Sequence, residues 1–287
     1  MFGRDMQENL IQEIMAEATS NTVELLDHGY VQLVESWGSD ERIIEAARMS
    51  TNKGFQGWGE RVCKNCSTKE SEVVLDPTDD IVDNLICFDS FGHSWVQKVG
   101  DEKLLRYLYT NKHMTPFEMA GMIIEVQAPI FVFREWQRHR TQSYNELSAR
   151  YTELPDMCYV PSVARLQAAR QSQTNRQGSE QGFSEEDAVK LQQDISYAYS
   201  AAQMTYRELL KKGVARELAR VVVPVGQYSR MRASANLRNW LQFLELRLPE
   251  NVQQETREYA QVIEKLVAQL HPRTYELFKE AHGSSGD

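Results

Sequence analysis

A short stretch of the chain concentrates side chains that bind anions. Arg138, His139 and Arg140 are consecutive, seven residues separate them from Ser148, and Arg150 closes the block. The planar guanidinium group of arginine presents two parallel N–H donors, which match two oxygens of a phosphate group. Successive backbone amides beside an arginine add further donors for an anion. This pattern therefore predicts a site for a small, phosphate-containing ligand.

The overall charge of the chain separates two interpretations of this block. The formal net charge is −9 at pH 7, whereas a nucleic-acid-binding surface normally carries an excess of positive charge. A pocket for a small polyanion is thus favoured over a surface for a long one. The alternative is an RNA-binding protein in which Tyr144 and Tyr151 stack on bases beside the arginines. Binding that weakens steeply with salt would indicate that alternative.

The segments around the block predict the elements that must position it. Residues 122–126 alternate between apolar and polar side chains, as in a half-buried strand, and 225–235 is also strand-like. The apolar segment 130–136 is predicted to be a buried helix or strand that leads into the block. Strands and helices do not alternate regularly, and no glycine-rich phosphate loop is present. We therefore expect an α+β fold with a mixed or antiparallel sheet and several long helices.

Helix signals are strongest on either side of these strands. Ser39-Asp40-Glu41 is typical of a helix start, and helical periodicity occurs again at 104–109. Ser184 is predicted to cap a long helix that ends at Gly213. A shorter helix follows, and two or three more are predicted within 237–281.

The chain is predicted to form a single domain over residues 1–287 with three additions to its core. These are an N-terminal extension (1–21), an insertion (about 52–90) and a mobile segment rich in Gln, Ser, Asn and Arg (about 165–184). No apolar run approaches the roughly 20 residues of a membrane helix. The first residues lack the pattern of a signal peptide. We therefore expect a cytoplasmic protein that does not enter a membrane.

The cysteines favour neither a disulfide scaffold nor a metal site. Cys63 and Cys66 have the spacing of half a zinc site, which Cys87 or His93 would have to complete. A second closely spaced cysteine pair is missing, so reduced thiols in the inserted segment are the favoured interpretation. No metal is predicted.

Arg138-His139-Arg140, seven residues and then Ser148 together resemble the signature of the flavin-dependent thymidylate synthases. Two further blocks resemble the same family, His113-Met114-Thr115-Pro116-Phe117-Glu118 and Ala215-Arg216-Glu217-Leu218-Ala219-Arg220. The resemblance implies that the substrate is dUMP, held by residues from three parts of the chain: Glu135, Trp136, Gln137, Arg138, Glu146, Leu147, Ser148, Ala149, Arg150, Arg220 and Arg247. Arg247 takes the position of the catalytic arginine that stabilises the ionised N3 of the uracil ring.

The resemblance also implies FAD as the cofactor. The positions that match its contacts are Ser50, Thr115, Arg138, His139, Arg140, Glu146, Asn236, Leu237, Arg238 and Gln242. His113 is expected near the folate and the nicotinamide. The chain departs from the family pattern at Gln242, where asparagine is common, and at Asn251, where a histidine is expected.

Taken individually, two parts of these motifs have a simpler interpretation. Ser148 on its own is typical of a hydrogen-bonded turn serine, and Arg216, Glu217 and Arg220 have the spacing of a salt-bridged helix face.

The activity implied by the resemblance is reductive methylation of dUMP to dTMP. Methylenetetrahydrofolate would supply the carbon and NADPH would reduce the FAD, in a homotetramer with active sites where subunits meet. A related enzyme that adds a hydroxymethyl group to a pyrimidine nucleotide is the alternative, and product mass separates the two. No cysteine nucleophile is required, so Cys158→Ala is expected to keep activity.

Overall fold

The structure is a computed structural model that describes residues 22–59, 61–63, 95–97, 100–172, 179–180 and 182–282. These residues form two compact units. The first unit contains the described residues up to Trp37 together with Gly121–Leu270, and the second contains Gly38–Ala120 with the described residues from His271 onward. A single domain over 1–287 stays a prediction.

The described residues contain strands and α-helices in an α+β arrangement, which confirms the predicted fold class. The strands are β1 (Thr22–Leu25), β2 (Gly29–Trp37), β3 (Arg61–Cys63), β4 (Trp95–Gln97), β5 (Gly121–Pro129), β6 (Ser143–Glu146), β7 (Arg170–Gln171), β8 (Ser179–Glu180) and β9 (Tyr228–Asn236). The helices are α1 (Asp40–Arg48), α2 (Glu102–Thr110), α3 (Ile130–Trp136), α4 (Val163–Gln167), α5 (Glu185–Lys211), α6 (Arg216–Ala219), α7 (Leu237–Arg247), α8 (Gln254–Leu270) and α9 (Pro272–His282).

The first unit is organised around a five-stranded antiparallel sheet with the order β1-β2-β5-β9-β6. On the central strand β5, the side chains of Met122, Ile124 and Val126 are buried, as the alternation at 122–126 predicted. Tyr144 of β6 and Ile124 of β5 both lie opposite Ala233 of β9. The register therefore places β6, the strand of the arginine-rich block, at the edge of the sheet and opposite the middle of β9.

Aromatic packing fixes the helix that precedes the block. Segment 130–136 is a helix, α3, and its Trp136 is fully buried. The Trp136 ring packs 4.8 Å from the ring of Phe243 on α7, and its Nε1 donates to Gln142 Oε1 at 3.0 Å. Trp240 of α7 donates to the carbonyl of Met122 at 3.2 Å. These contacts hold α3 and α7 against the same part of the core.

The long helix α5 follows its sequence signals at both ends. The hydroxyl of Ser184 accepts a hydrogen bond from Asp187 N at 3.1 Å, which caps the helix as predicted. At the other end Gly213 has φ of +80°, a left-handed conformation that glycine adopts without steric cost. The predicted helix from Ser184 to Gly213 is therefore confirmed.

Buried acidic side chains hold the elements of the second unit together. Asp101 is fully buried and pairs with Arg48 at the end of α1, and its other oxygen accepts from Gln56 N at 2.7 Å. Asp40 accepts hydrogen bonds from Arg273 N at 2.9 Å and from Thr274 Oγ1 at 2.6 Å. Asp40 therefore caps α9, a helix that begins far along the chain.

The three predicted additions are described only in part. The N-terminal extension 1–21 lies outside the described residues, as do 60, 64–94 and 98–99, so the pairing of Cys63 with Cys66 is not described. In the segment 165–184, residues 173–178 and 181 lie outside the described part. The rest includes the end of helix α4 and the strands β7 and β8, which pair with each other. None of the described helices is both long enough and apolar enough to cross a membrane.

Candidate active site

The arginine-rich block begins where α3 ends and continues as strand β6. Between them the chain makes a tight turn, in which His139 N donates to Trp136 O at 3.0 Å. The hydroxyl of Tyr144 reaches back from β6 to the carbonyls of Trp136 at 3.1 Å and His139 at 2.7 Å. Burial raises the pKa of Tyr144 to about 12, so this hydroxyl stays protonated and can donate. Hydrogen bonds from Tyr144, a residue of the block itself, therefore stabilise the turn.

His139 and Arg247, two residues predicted for the site, contact each other directly. Arg247 Nε donates to His139 Nε2 at 2.9 Å. The imidazole is only 9% exposed and packs 4.8 Å from the Phe243 ring. Burial first, and then the Arg247 charge, lower the pKa of His139 to about 4. At neutral pH the ring is uncharged, and it can accept the hydrogen bond from Arg247.

The guanidinium group of Arg247 is held by acceptors on two sides. It also donates to the carbonyl of Glu135 at 2.9 Å and to the Glu135 carboxylate at 3.2 Å. The Arg247 side chain is 16% exposed, whereas that of Glu135 faces solvent. The structure thus brings Glu135, His139 and Arg247 together, with a permanent positive charge in a fixed, partly buried position.

The buried His139 predicts an acid-sensitive contribution to stability. Its pKa is about 4 in the folded chain and about 6.5 when unfolded, so the unfolded chain binds more protons between these values. Stability therefore rises with pH across this window and is lost as pH falls through it, by about 3 kcal/mol in total. Urea denaturation from pH 7 to pH 4 should show a steeper loss for the wild type than for His139→Gln. Equal slopes would contradict the prediction.

A cavity of about 390 Å³ gathers several of the predicted substrate residues. It lies in the first unit, and the predicted residues that line it are Glu146, Leu147, Ser148, Ala149 and Arg220. Arg220 follows α6 at the start of a short 3₁₀ helix, Arg220–Val222. Folding thus brings Ser148 and Arg220, which are far apart in the sequence, to the same cavity.

Hydrogen bonding around Ser148 leaves two amides directed to no protein acceptor. Ser148 Oγ accepts from Arg150 N at 3.3 Å, and Leu147 N donates to Arg230 O at 2.7 Å. Within the described residues, the amides of Ser148 and Ala149 donate to no protein group. Ser148 is therefore a turn serine, as the simpler interpretation states, and its turn still offers donors at the cavity.

Arg150 of the block and Arg216 of α6 behave differently from Arg220. Arg150 lies 3.7 Å from the carboxylate of Glu217, and Arg216 lies 3.9 Å from that of Glu153. Arg216 and Glu217 therefore form ion pairs, but with residues outside α6 rather than along one helix face. Within the described part of the chain, Arg220 forms no ion pair.

The residues predicted to contact FAD are distributed over exposed and buried positions. Arg138 and Arg140 are exposed and form no ion pair within the described ranges, so their guanidinium groups suit a pyrophosphate. The Asn236 side chain accepts from Asn239 N at 3.0 Å and caps α7. Leu237 is buried, and Arg238 and Gln242 are exposed on α7. The donor set therefore fits a dinucleotide. Asn251, the other departure from the family pattern, is exposed beyond α7.

Four further predicted substrate positions differ in how they relate to the site. Trp136 is fully buried, and its carbonyl accepts hydrogen bonds from His139 N and the Tyr144 hydroxyl, so it supports the turn rather than facing a ligand. Gln137 Nε2 donates to Glu146 Oε2 at 3.2 Å, which links two predicted substrate residues across the turn. Leu147 and Ala149 contribute mainly apolar surface to the cavity.

The remaining predicted positions belong to the second unit. Ser50 is exposed, and its hydroxyl donates to Ala47 O at 3.1 Å. His113 is exposed, with its ring 5.6 Å from that of Tyr107. Thr115 is exposed at the start of a 3₁₀ helix, Thr115–Met119. Their assignment to the cofactor and the folate stays a prediction.

Two polar residues of the cavity were not predicted from the sequence. Arg134 of α3 and Ser229 of β9 line it together with Ser148 and Arg220. Arg134 follows four apolar residues in the segment 130–136, which was interpreted as buried, and no spacing relative to the block distinguishes it. Ser229 is one of several small polar residues in its strand, and no spacing distinguishes it.

The antiparallel sheet, its helices and the arginine-lined cavity define an α+β protein with a site suited to a phosphate group. The family model described as thymidylate synthase complementing protein matches residues 32–273. The chain belongs to this family, the flavin-dependent thymidylate synthases, which confirms the resemblance found in the sequence.

Individual relatives agree with this assignment. A flavin-dependent thymidylate synthase of Thermus thermophilus is 35% identical over 260 residues, covering 90% of this chain and 78% of that protein. The corresponding protein of Wolbachia pipientis is 31% identical over 278 residues, covering 93% and 83%. A crystal structure of a UMP/dUMP methylase from Streptomyces cacaoi bound with 5-Br UMP superposes with a TM-score of 0.68. It is 31% identical and covers 91% of this chain and 97% of that one.

Proposed function

We propose that this enzyme converts dUMP to dTMP with 5,10-methylenetetrahydrofolate as carbon donor and NADPH-reduced FAD as reductant. The observation that carries the proposal is the cavity of about 390 Å³, in which Ser148 and its neighbours meet Arg220. A guanidinium group, a hydroxyl and two amides without protein acceptors together suit the phosphate of a nucleotide. The solved relative described as a UMP/dUMP methylase supports a uridine nucleotide as the substrate class.

The role proposed for Arg247 is electrostatic. Its guanidinium group cannot lose a proton at physiological pH, and its contacts with His139 and Glu135 fix its orientation. A fixed positive charge in a partly buried site stabilises negative charge that develops on a bound uracil ring. His139 and Glu135 act on this step by positioning Arg247.

The cofactor is proposed to be held mainly by exposed side chains of the first unit. Arg138 and Arg140 would bind its pyrophosphate, and residues of α7 such as Arg238 and Gln242 would contact the rest. Ser50 and Thr115 are proposed as further cofactor contacts, and His113 is proposed to lie near the folate. When bound, FAD supplies the hydride chemistry that the side chains cannot.

Exposed apolar side chains support the proposed homotetramer. On α5, Tyr197 is 79% and Met204 is 62% exposed, and Val221 in the following segment is 81% exposed. Large apolar side chains that are exposed as one contiguous patch mark protein–protein contact surfaces. Active sites at the subunit interfaces remain part of the proposal, which the molar mass in solution would begin to test.

The experiment that tests the function is a visible absorption spectrum of the purified protein, with product analysis by mass spectrometry. A flavin spectrum that bleaches anaerobically with NADPH and dUMP, followed by dTMP formation, is expected. A hydroxymethylated product would support the related hydroxymethylase, and turnover of UMP in parallel would define the sugar specificity. A colourless protein that takes up no FAD and binds RNA with steep salt dependence would contradict the proposal.

Cys158→Ala is predicted to retain full activity. Cys158 Sγ lies 3.7 Å from both Gln203 Nε2 and Gln227 Oε1, and burial raises the pKa of the thiol. A raised pKa disfavours the thiolate, which is the reactive nucleophile. The two glutamines also hydrogen-bond to each other, so the alanine variant should lose only about 1 kcal/mol of stability. Turnover and Tm of the purified variant test this, and loss of turnover in a folded variant would contradict it.

A further inference from the structure

Two polar side chains in the cavity of about 390 Å³ have no role assigned by the family resemblance. Arg134 projects from α3 and Ser229 from β9, and both line the same cavity as Ser148 and Arg220. They come from different elements of the first unit. Their convergence at this position is therefore a product of folding.

The charges of the cavity suit a doubly charged anion. Two guanidinium groups line it, those of Arg134 and Arg220, and neither forms an ion pair or hydrogen bond with the described residues. The one carboxylate in the lining, that of Glu146, accepts from Gln137 Nε2 at 3.2 Å. A phosphate monoester carries close to two negative charges at neutral pH, because its second pKa is about 6. A single arginine would balance only half of that charge.

Ser229 provides an independent indication of a ligand. The residue is only 2% exposed, and its Oγ is buried without a hydrogen-bond partner among the described residues. A buried hydroxyl without a partner destabilises a fold, so most such groups are paired. In a cavity wall beside two unpaired arginines, an anionic oxygen would complete this hydrogen bond.

We propose that Arg134 and Ser229 bind the phosphate monoester of the substrate together with Arg220 and Ser148. Only the identity of the nucleotide rests on the proposed function, since the charge and hydrogen-bond arguments concern the phosphate alone. Arg134 and Ser229 are thus binding residues that select a dianionic monoester over an uncharged nucleoside.

The test uses isothermal titration of the full-length protein with dUMP and with deoxyuridine, at pH 7.5 and pH 5.5. The variants are Arg134→Gln and Ser229→Ala. Arg207→Gln is the matched control, because Arg207 is an exposed arginine of the same unit paired with Asp156. We expect Arg134→Gln to weaken dUMP binding about 10-fold or more, since charge-assisted hydrogen bonds are the strong ones. Deoxyuridine binding should change less than about 2-fold, and the control should match the wild type.

Ser229→Ala distinguishes ligand binding from a structural role. The substitution is expected to weaken dUMP binding about 5-fold while the Tm stays unchanged or rises, because a buried unpaired hydroxyl is removed. The wild type should also bind dUMP less tightly at pH 5.5, where the phosphate loses its second charge. Arg134→Gln should show a smaller pH dependence.

The outcomes separate this inference from the proposed function. Wild-type affinity of Arg134→Gln for dUMP, or equal losses for dUMP and deoxyuridine, would overturn the inference even if dTMP is formed. A lower Tm for Ser229→Ala with unchanged affinity would also overturn the role of Ser229. If the wild type binds no dUMP but binds inorganic phosphate in an Arg134-dependent way, the substrate assignment fails and the phosphate site stands.

Discussion

Replacing Arg247 by glutamine is expected to lower the rate of dTMP formation about 10²–10³-fold, the loss typical of removing one fixed electrostatic contact to a transition state. The guanidinium group is held by His139 Nε2, by the Glu135 carbonyl and by the Glu135 carboxylate. Glutamine removes the charge and cannot reach all three acceptors. Initial rates under saturating substrates, with flavin content measured in parallel, provide the test.

Arg247→Lys is expected to restore little of this activity. Lysine keeps the charge but replaces a planar fork of donors by a single ammonium group, so the orientation set by His139 and Glu135 is lost. Arg257→Gln is the control, because among the described residues the Arg257 side chain hydrogen-bonds only to the carbonyl of Glu250. Near-wild-type turnover of Arg247→Gln with a normal flavin content would refute the proposed electrostatic role.

The same substitution has a spectroscopic consequence at His139. The Arg247 charge is the second cause, after burial, of the low pKa of about 4. Without that charge the pKa of His139 should rise towards the value for burial alone. An NMR titration of the imidazole in Arg247→Gln would show this rise, and an unchanged pKa would mean that the two groups are not coupled.

Asp40→Ala is predicted to have the largest effect on stability, a loss of about 3 kcal/mol or more. The buried Asp40 carboxylate accepts from Arg273 N at 2.9 Å, Thr274 N at 3.3 Å and Thr274 Oγ1 at 2.6 Å. Alanine leaves these donors at the start of α9 buried and without an acceptor. Thermal denaturation should show a Tm lower by about 10 °C.

Ser39→Ala is the matched control for this prediction, because it removes a cap one residue earlier. Ser39 Oγ accepts from Arg42 N at the long distance of 3.4 Å, within its own helix. Its loss should reduce stability by no more than about 1 kcal/mol. Equal Tm shifts for Ser39→Ala and Asp40→Ala would show that Asp40 does not hold α9 in the way described.

The contrast between Ser39 and Asp40 shows which contacts a local sequence pattern can predict and which it cannot. Both residues indicated a helix start, and α1 begins there. The second role of Asp40, as the cap of α9, depends on a residue more than two hundred positions away. Local patterns carry no information about such a contact.

The site shows the same division. The block from Arg138 to Arg150 was recognisable because its residues are adjacent and their spacing is specific. The hydrogen bond between Arg247 and His139 was not predictable, although both residues were singled out, because it depends on α7 packing against the turn after α3. The meeting of Arg134 and Ser229 at the cavity was not predictable either, because it also depends on tertiary packing.

The sequence by itself determined the elements and the family. Alternation at 122–126 specified a buried strand, Ser184 and Gly213 delimited α5, and the spaced arginines and Ser148 identified the flavin-dependent thymidylate synthases. Caps, periodicity and motifs act over a few residues, so they are visible in one dimension. Only the tertiary structure determines which charges are paired and which line the cavity, because these contacts join residues that are far apart in the sequence. The neutral state of His139, and the absence of an ion pair to Arg220 within the described residues, are therefore properties of the folded chain.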